Sequence, residues 1–262
     1  MKIDDLTFII NVLKGEKKEY PNIDWYAVIG FLELHKIAGM FYARAKAIDY
    51  IFPDKIEKTL FHTFLRQKRR VEFFRAEIER LSRELTTNGL QYIFLKGSVL
   101  CSCGDSGKIY SDGERVSNDI DVLVKPSGLS DICKALRESG FIQGKYDENK
   151  GGVVPFSRFE ILNRQMNRGE TAPFIKVTNN PEIPFIEVDV NFSLGNEPAE
   201  HADLITEMID SRKLYHGEIL LYSANEELFF LHLIMHQFKE SRLYFMVERS
   251  KDTDLYKLAD LY

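Results

Sequence analysis

An excess of basic charge, cysteine and long apolar runs are all lacking or scarce in this chain. Lysine and arginine total 35 against 40 aspartates and glutamates, a net charge of -5. A protein that coats nucleic acid is basic overall. The balance therefore excludes a broad nucleic-acid-coating surface, though not a local basic patch. Three cysteines are present, Cys101, Cys103 and Cys133. So low and odd a number fits reduced thiols in a cytoplasmic protein better than a disulfide framework. The "CSC" pair has no second Cys/His pair at a zinc-binding spacing. No stretch reaches the length of a membrane-spanning helix, and the mean hydropathy is -0.24. The opening "MKIDDLTFII" lacks the basic start and small-residue cleavage site of a secretory signal. Internal repeats and low-complexity tracts are missing too. The expectation is a cytoplasmic protein with no membrane association.

What is present is a core-forming composition, 44% hydrophobic and 12% aromatic over 262 residues. Three textures follow one another. Residues 1–89 read as helices. "DDLTFIINVL" puts Leu6, Ile9, Ile10 and Leu13 on one helical face. "WYAVIGFLELHKIAGMFYARAKAI" is a second apolar helical stretch. From Ile56 to Leu85 apolar residues recur at near-helical spacing until Asn88-Gly89 gives a stop signal. The "RQKRR" run within this helix reads as a solvated face. Residues 90–198 are mixed. "QYIFL", "NDIDVLV", "VVPFSRFEIL", "APFIKVT" and "PFIEVDVNFSL" are predicted strands. "PSGLSDICKALRESG" is an amphipathic helix, and "CSCGDSGKIYSDGER" a loop. Residues 199–262 return to a helical pattern, with Ser223 and Glu226 spaced as a capping box.

The informative conflict lies in "SNDIDVLVKP", where Asp119 and Asp121 interrupt a run of strand-formers. Side chains two apart on a strand share a face. Like charges held that close are costly unless a positive charge sits between them. A divalent cation is the natural solution, because hard cations take oxygen ligands. "FIEVDVNF" repeats the pattern, with Glu187, Asp189 and Asn191 on one face and Ile186, Val188 and Val190 on the other. Three converging carboxylates can hold two metal ions, which clamp the attacking and leaving oxygens of phosphoryl transfer. "FLKGSVL" supplies a glycine turn before a helix start, a place where backbone amides attract phosphate. "GDSGK", residues 104–108, is not a P-loop: its spacing is too short, and Ile109 stands where the metal-binding Ser or Thr belongs. His232 and His236 stand four apart on a predicted helix, but Leu233 replaces the glutamate of a metalloprotease motif. They read as core or cleft histidines.

The order "FLKGSVL", long insert, "RVSNDIDVLV", helix ending in "SGF" resembles the nucleotidyltransferase superfamily of the DNA polymerase β type. It is most similar to the uncharacterised nucleotidyltransferase branch, with the flanks "LELHKIAGMFYARA" and "LHLIMHQF…LYKLADLY" similar too. The 22 positions from Gly97 to Asp119 exceed those of the antibiotic-modifying members but suit this branch. The resemblance implies an α+β fold: a polymerase β-like core with a mixed sheet over 90–198, flanked by helical regions at 1–89 and 199–262. It implies a nucleotidyltransferase that moves a nucleoside monophosphate from an NTP to a hydroxyl-type acceptor and releases pyrophosphate. Two Mg²⁺ ions would arrive with the NTP and be held by Asp119, Asp121 and Asp189, which are also the catalytic carboxylates. Asp189 is preferred to Glu187, which faces the same way. Gly97 and Ser98 would hold the triphosphate. Lys96 and Arg115 are candidate phosphate contacts, and Arg115 is equally a brace between the loop and the acids. The acceptor stays open between a small molecule, a protein side chain and an RNA end. Two rivals remain: a non-catalytic binding protein on the same fold, such as an antitoxin or assembly partner, and a two-metal hydrolase.

Overall fold

The computed structural model describes residues 1–262 except 103–108, 116, 196–199, 217–219, 249–252 and 262. Cys103 and the "GDSGK" segment lie outside the described residues. No helix among the described residues is long and apolar enough to cross a membrane.

The chain is α+β. Three helices open it: α1 (Ile3–Leu13), α2 (Trp25–Leu34) and α3 (Ala38–Ala47). On α1 the buried face is Phe8, Ile9 and Val12. Leu6 and Ile10, expected to face inward, are exposed instead. The second apolar stretch is two helices rather than one, because Lys36 adopts a left-handed φ of 55° between them. Next comes α4 (Asp54–Thr87), 34 residues long. Gly89 follows it at a φ of 69°, which glycine takes without a Cβ clash. Leu60 of α4 packs into an N-terminal helical core with Phe8, Phe41 and Phe52. Phe74, Ile78, Leu81 and Leu85 pack into a second core beneath the sheet. One helix thus runs through both.

The central sheet contains β1 (Ile93–Phe94), β2 (Ile120–Leu123), β3 (Ile142–Asp147), β4 (Gly152–Pro155), β5 (Phe174–Asn180) and β6 (Ile183–Asn191), in the order β1-β2-β6-β5-β3-β4. It is mixed: β2 and β6 run parallel, and the other neighbours run antiparallel. Between these strands lie the short α5 (Gly97–Leu100), α6 (Leu129–Glu138) and α7 (Arg158–Arg168). The helix at α6 forms as predicted, burying Ile132 and Leu136. The strand predicted over "VVPFSRFEIL" stops at Pro155, and the rest is α7. Proline cannot continue the ladder, and Ser157 with Glu160 forms a capping box that starts a helix instead.

The last part holds α8 (Ala202–Asp210), β7 (Lys213–His216), β8 (Leu220–Ser223), α9 (Glu226–Ser241), α10 (Tyr244–Glu248) and α11 (Leu255–Ala259). The β7–β8 hairpin was not expected in a region read as helical. Ser223 belongs to that hairpin and donates its hydroxyl to the Phe94 carbonyl at 3.0 Å. The α9 cap is Asn225, whose side chain accepts from the Leu228 amide at 3.0 Å. Asparagine is as good a cap as serine, and it stands next to the helix.

Candidate active site

The alternation of β6 sends Ile186, Val188 and Val190 into the core and leaves Glu187, Asp189 and Asn191 half-buried on the opposite face. Along β2, Ile120 and Val122 are core residues. Asp121 faces the other way yet is only 2% exposed. The parallel pairing sets Asp121 directly across from Asp189. Neighbouring strands lie about 4.8 Å apart, so two carboxylates share one patch of sheet. Asp119 stands at the mouth of β2, its carbonyl held by the Ser117 hydroxyl at 2.9 Å.

The electrostatics follow from this crowding. Burial, reinforced by Asp121, Asp119 and Glu187, pushes the Asp189 carboxyl well above the ordinary range. Burial and Asp119 push Glu187 up as well. Asp121 is raised to about 6 by burial and by Asp119, even though Lys96 pulls the other way. The Lys96 ammonium lies 2.7 Å from Asp121 Oδ1. Its burial opposes the charge, but Asp121 and Asp119 outweigh burial and hold the ammonium charged. Lys96 occupies a left-handed backbone position, φ 48° and ψ -126°. Such strain in a non-glycine residue costs roughly 1–3 kcal/mol and gathers at functional sites.

A model of the family described as uncharacterised nucleotidyltransferase matches residues 21–262. The chain belongs to that family. No curated protein and no solved structure matches it.

In this nucleotidyltransferase family member two chambers that share lining residues lie over the acids. The smaller, about 120 Å³, is lined by Lys96, Gly97, Arg115, Ser117, Asp119 and Asp121 among others. The larger, about 490 Å³, is lined by Asp119, Glu170 and Asp189 on one side and by α9 on the other. Gly97 is glycine because no side chain fits: a Cβ there would lie 2.3 Å from Ser117 Oγ and 2.5 Å from an Arg115 guanidinium nitrogen. Ser98 is fully buried, its amide donates to the Leu95 carbonyl at 3.2 Å, and it lines neither chamber.

Arg115 lines the smaller chamber and is tied to the C-terminal part of the chain. Both ends of its guanidinium donate to the Asp260 carboxylate at 2.7 Å, and both side chains are buried. Arg70, from the run read as a solvated face, donates to the Ser117 carbonyl at 3.3 Å and so supports the turn that carries Asp119.

Three features escaped the sequence reading. The Lys96–Asp121 ion pair spans a turn whose backbone no motif describes. Glu170 sits in the loop after α7, bridges to Asn191 and lines the larger chamber. The chamber face of α9 carries His232, His236, Lys239 and Glu240. Their spacing of four, three and one along α9 was a readable polar stripe.

Do these residues fit metal ions? Among the described residues no group of three or more His, Cys, Asp or Glu side chains is gathered as a finished metal site. The donor chemistry nevertheless fits: all are hard oxygens, and Asp121, Asp189 and Glu187 all have raised carboxyls, partly through mutual repulsion, which a cation would relieve. Lys96 now supplies the positive charge on Asp121.

Proposed function

We propose that the protein transfers a nucleoside monophosphate from an NTP to an acceptor hydroxyl, with a polymerase β-like core and Mg²⁺ ions held by Asp119, Asp121 and Asp189. The observation that carries the reading is the register of Asp121 against Asp189 on parallel strands, with Asp119 two residues before Asp121. A binding scaffold gains nothing from such clustered charge. Asp189 is preferred to Glu187 because it stands opposite Asp121 and lines the larger chamber together with Asp119.

The acceptor oxygen forms a bond to the α-phosphorus. The bond from that phosphorus to the bridging oxygen breaks, and pyrophosphate leaves. The hydroxyl proton passes to the Asp189 carboxylate, which lines the larger chamber beside Asp119. Bound Mg²⁺ would neutralise the charge on the phosphates. Lys96 exchanges Asp121 for phosphate oxygens when the nucleotide arrives, and Gly97 gives the tail room at the turn. Ser98 reaches that tail only if α5 shifts. Calorimetry with ATP and Mg²⁺ tests the reading. Nucleotide binding should require the metal in the wild type and weaken in Asp121→Asn; equal affinity with and without metal in both would overturn it.

One observation favours the second reading, a non-catalytic nucleotidyltransferase-fold partner. Lys96 already neutralises Asp121 without any metal. On that reading Mg²⁺ leaves nucleotide affinity unchanged.

A further inference from the structure

The larger chamber has a chemistry of its own. His232 is only 6% exposed, yet neither of its ring nitrogens has a hydrogen-bond partner among the described residues. A buried polar group left unpaired is costly, and each one calls for an explanation. Burial, together with Lys96 and Lys239, keeps the ring uncharged, lowering it to about 3. A neutral imidazole offers one donor and one acceptor. A hydroxyl also offers both, so one hydroxyl satisfies either nitrogen. A carboxylate or an ammonium satisfies only one kind.

The surroundings narrow the ligand further. His236 is held neutral in the same way, by burial and by Lys96, His232 and Lys257, and its Nε2 lies 3.5 Å from a Glu240 oxygen. The Lys239 ammonium is engaged by the Gly195 carbonyl at 2.7 Å. Leu194, Leu243 and Met246 give the chamber an apolar wall. Its volume of about 490 Å³ lies in the range of small-molecule sites. The two chambers share Lys96, Asp119, His236 and Glu240. With the phosphate tail at Gly97, the second reactant must approach Asp189 through the larger chamber.

We infer that the larger chamber binds the acceptor, and that the acceptor is a small polyhydroxylated molecule held by hydrogen bonds to His232. This rests on the transfer reading above. The oxygen that attacks phosphorus belongs to the bound polyol, and its proton goes to Asp189.

The test reads binding, so it needs no turnover. Ligand-observed saturation-transfer NMR is run on a panel of sugars, aminosugars and inositols, with Mg²⁺ and a non-hydrolysable ATP analogue present. At least one compound should bind the wild type, lose about tenfold or more in affinity in His232→Leu, and lose binding in Leu243→Trp, which fills the chamber from its half-exposed rim. His232→Asn, which keeps one donor and one acceptor, should recover part of the affinity. No polyol signal, or signals indifferent to both His232→Leu and Leu243→Trp, would overturn the inference. So would competition-resistant binding of transfer RNA or of an unfolded protein at that face. Displacement of a fluorescent ATP analogue from the wild type is measured separately. Its failure sinks the transfer reading, while the NMR result judges the chamber.

Discussion

The two cores that share α4 are built on opposite terms. In the N-terminal core Phe8 meets the rings of Tyr20, Trp25, Phe41 and Tyr50 at centroid distances of 5.3 to 5.6 Å. Such contacts add to the area already buried and ask for no compensation. Above the central core the sheet instead carries Asp121, Asp189 and Glu187, all raised by burial and repulsion. Facing these acids are a strained Lys96 in the turn before α5 and an unpartnered His232 on α9. One region is held mainly by apolar ring packing. The other gathers crowded carboxylates and a buried histidine without partners, the pattern that marks a candidate site rather than a core.

The contrast can be broken first on the apolar side. Phe8→Ala should cost about 3–5 kcal/mol, because it opens a cavity among rings that cannot collapse. A denaturant midpoint shifted by much less would show that the N-terminal core is looser than its ring packing implies. On the charged side, Asp121→Asn should lower nucleotide transfer at least about a hundredfold. Label moved from an α-labelled NTP to a small-molecule pool reads this, and wild-type transfer would remove Asp121 from the mechanism.

A third comparison uses pH. The unfolded chain protonates His232 near pH 6.5, whereas the folded one does so only at about 3. Stability from this group is therefore complete above about pH 6.5 and falls as the pH drops through that window. Replacing it by Gln should remove up to roughly 2 kcal/mol of the wild type's loss between pH 7 and pH 5. Parallel pH profiles for wild type and His232→Gln, measured by denaturant melts, would contradict it.

The smallest effect separates two acids of one cluster. Asp189→Asn removes a carboxylate that burial and its neighbours disfavour, and should raise metal-free stability by about 1 kcal/mol. Asp121→Asn leaves the Lys96 ammonium without its partner at 2.7 Å and should lower it. Melting points moving in the same direction would mean that the ion pair does not distinguish them.

Much of this was legible because it is local and periodic. Period two revealed the polar faces of β2 and β6, and period 3.6 revealed α4 and α6. Pairing of Asp121 with Asp189 needed only that the two strands be neighbours. The missed features depend on distance or on competing local signals. Nothing near Arg115 names Asp260, 145 positions away. Ser157 and Glu160 lay inside a run whose apolar start favoured a strand, and the cap prevailed. Ser98 carried the motif's polarity but was turned inward by a four-residue helix. The polar stripe on α9 could be read, but only the cleft opposite it gives the stripe a purpose.

The Arg115–Asp260 pair also sets a schedule. A contact across 145 positions closes a long loop, so its entropy is repaid only after nearer contacts have formed. On a chain emerging from the ribosome the N-terminal core can assemble early. The wall of the smaller chamber waits for residue 260. Until then Arg115 lacks its Asp260 partner beside Gly97. A nascent chain should therefore hold a folded helical core well before it can hold a nucleotide.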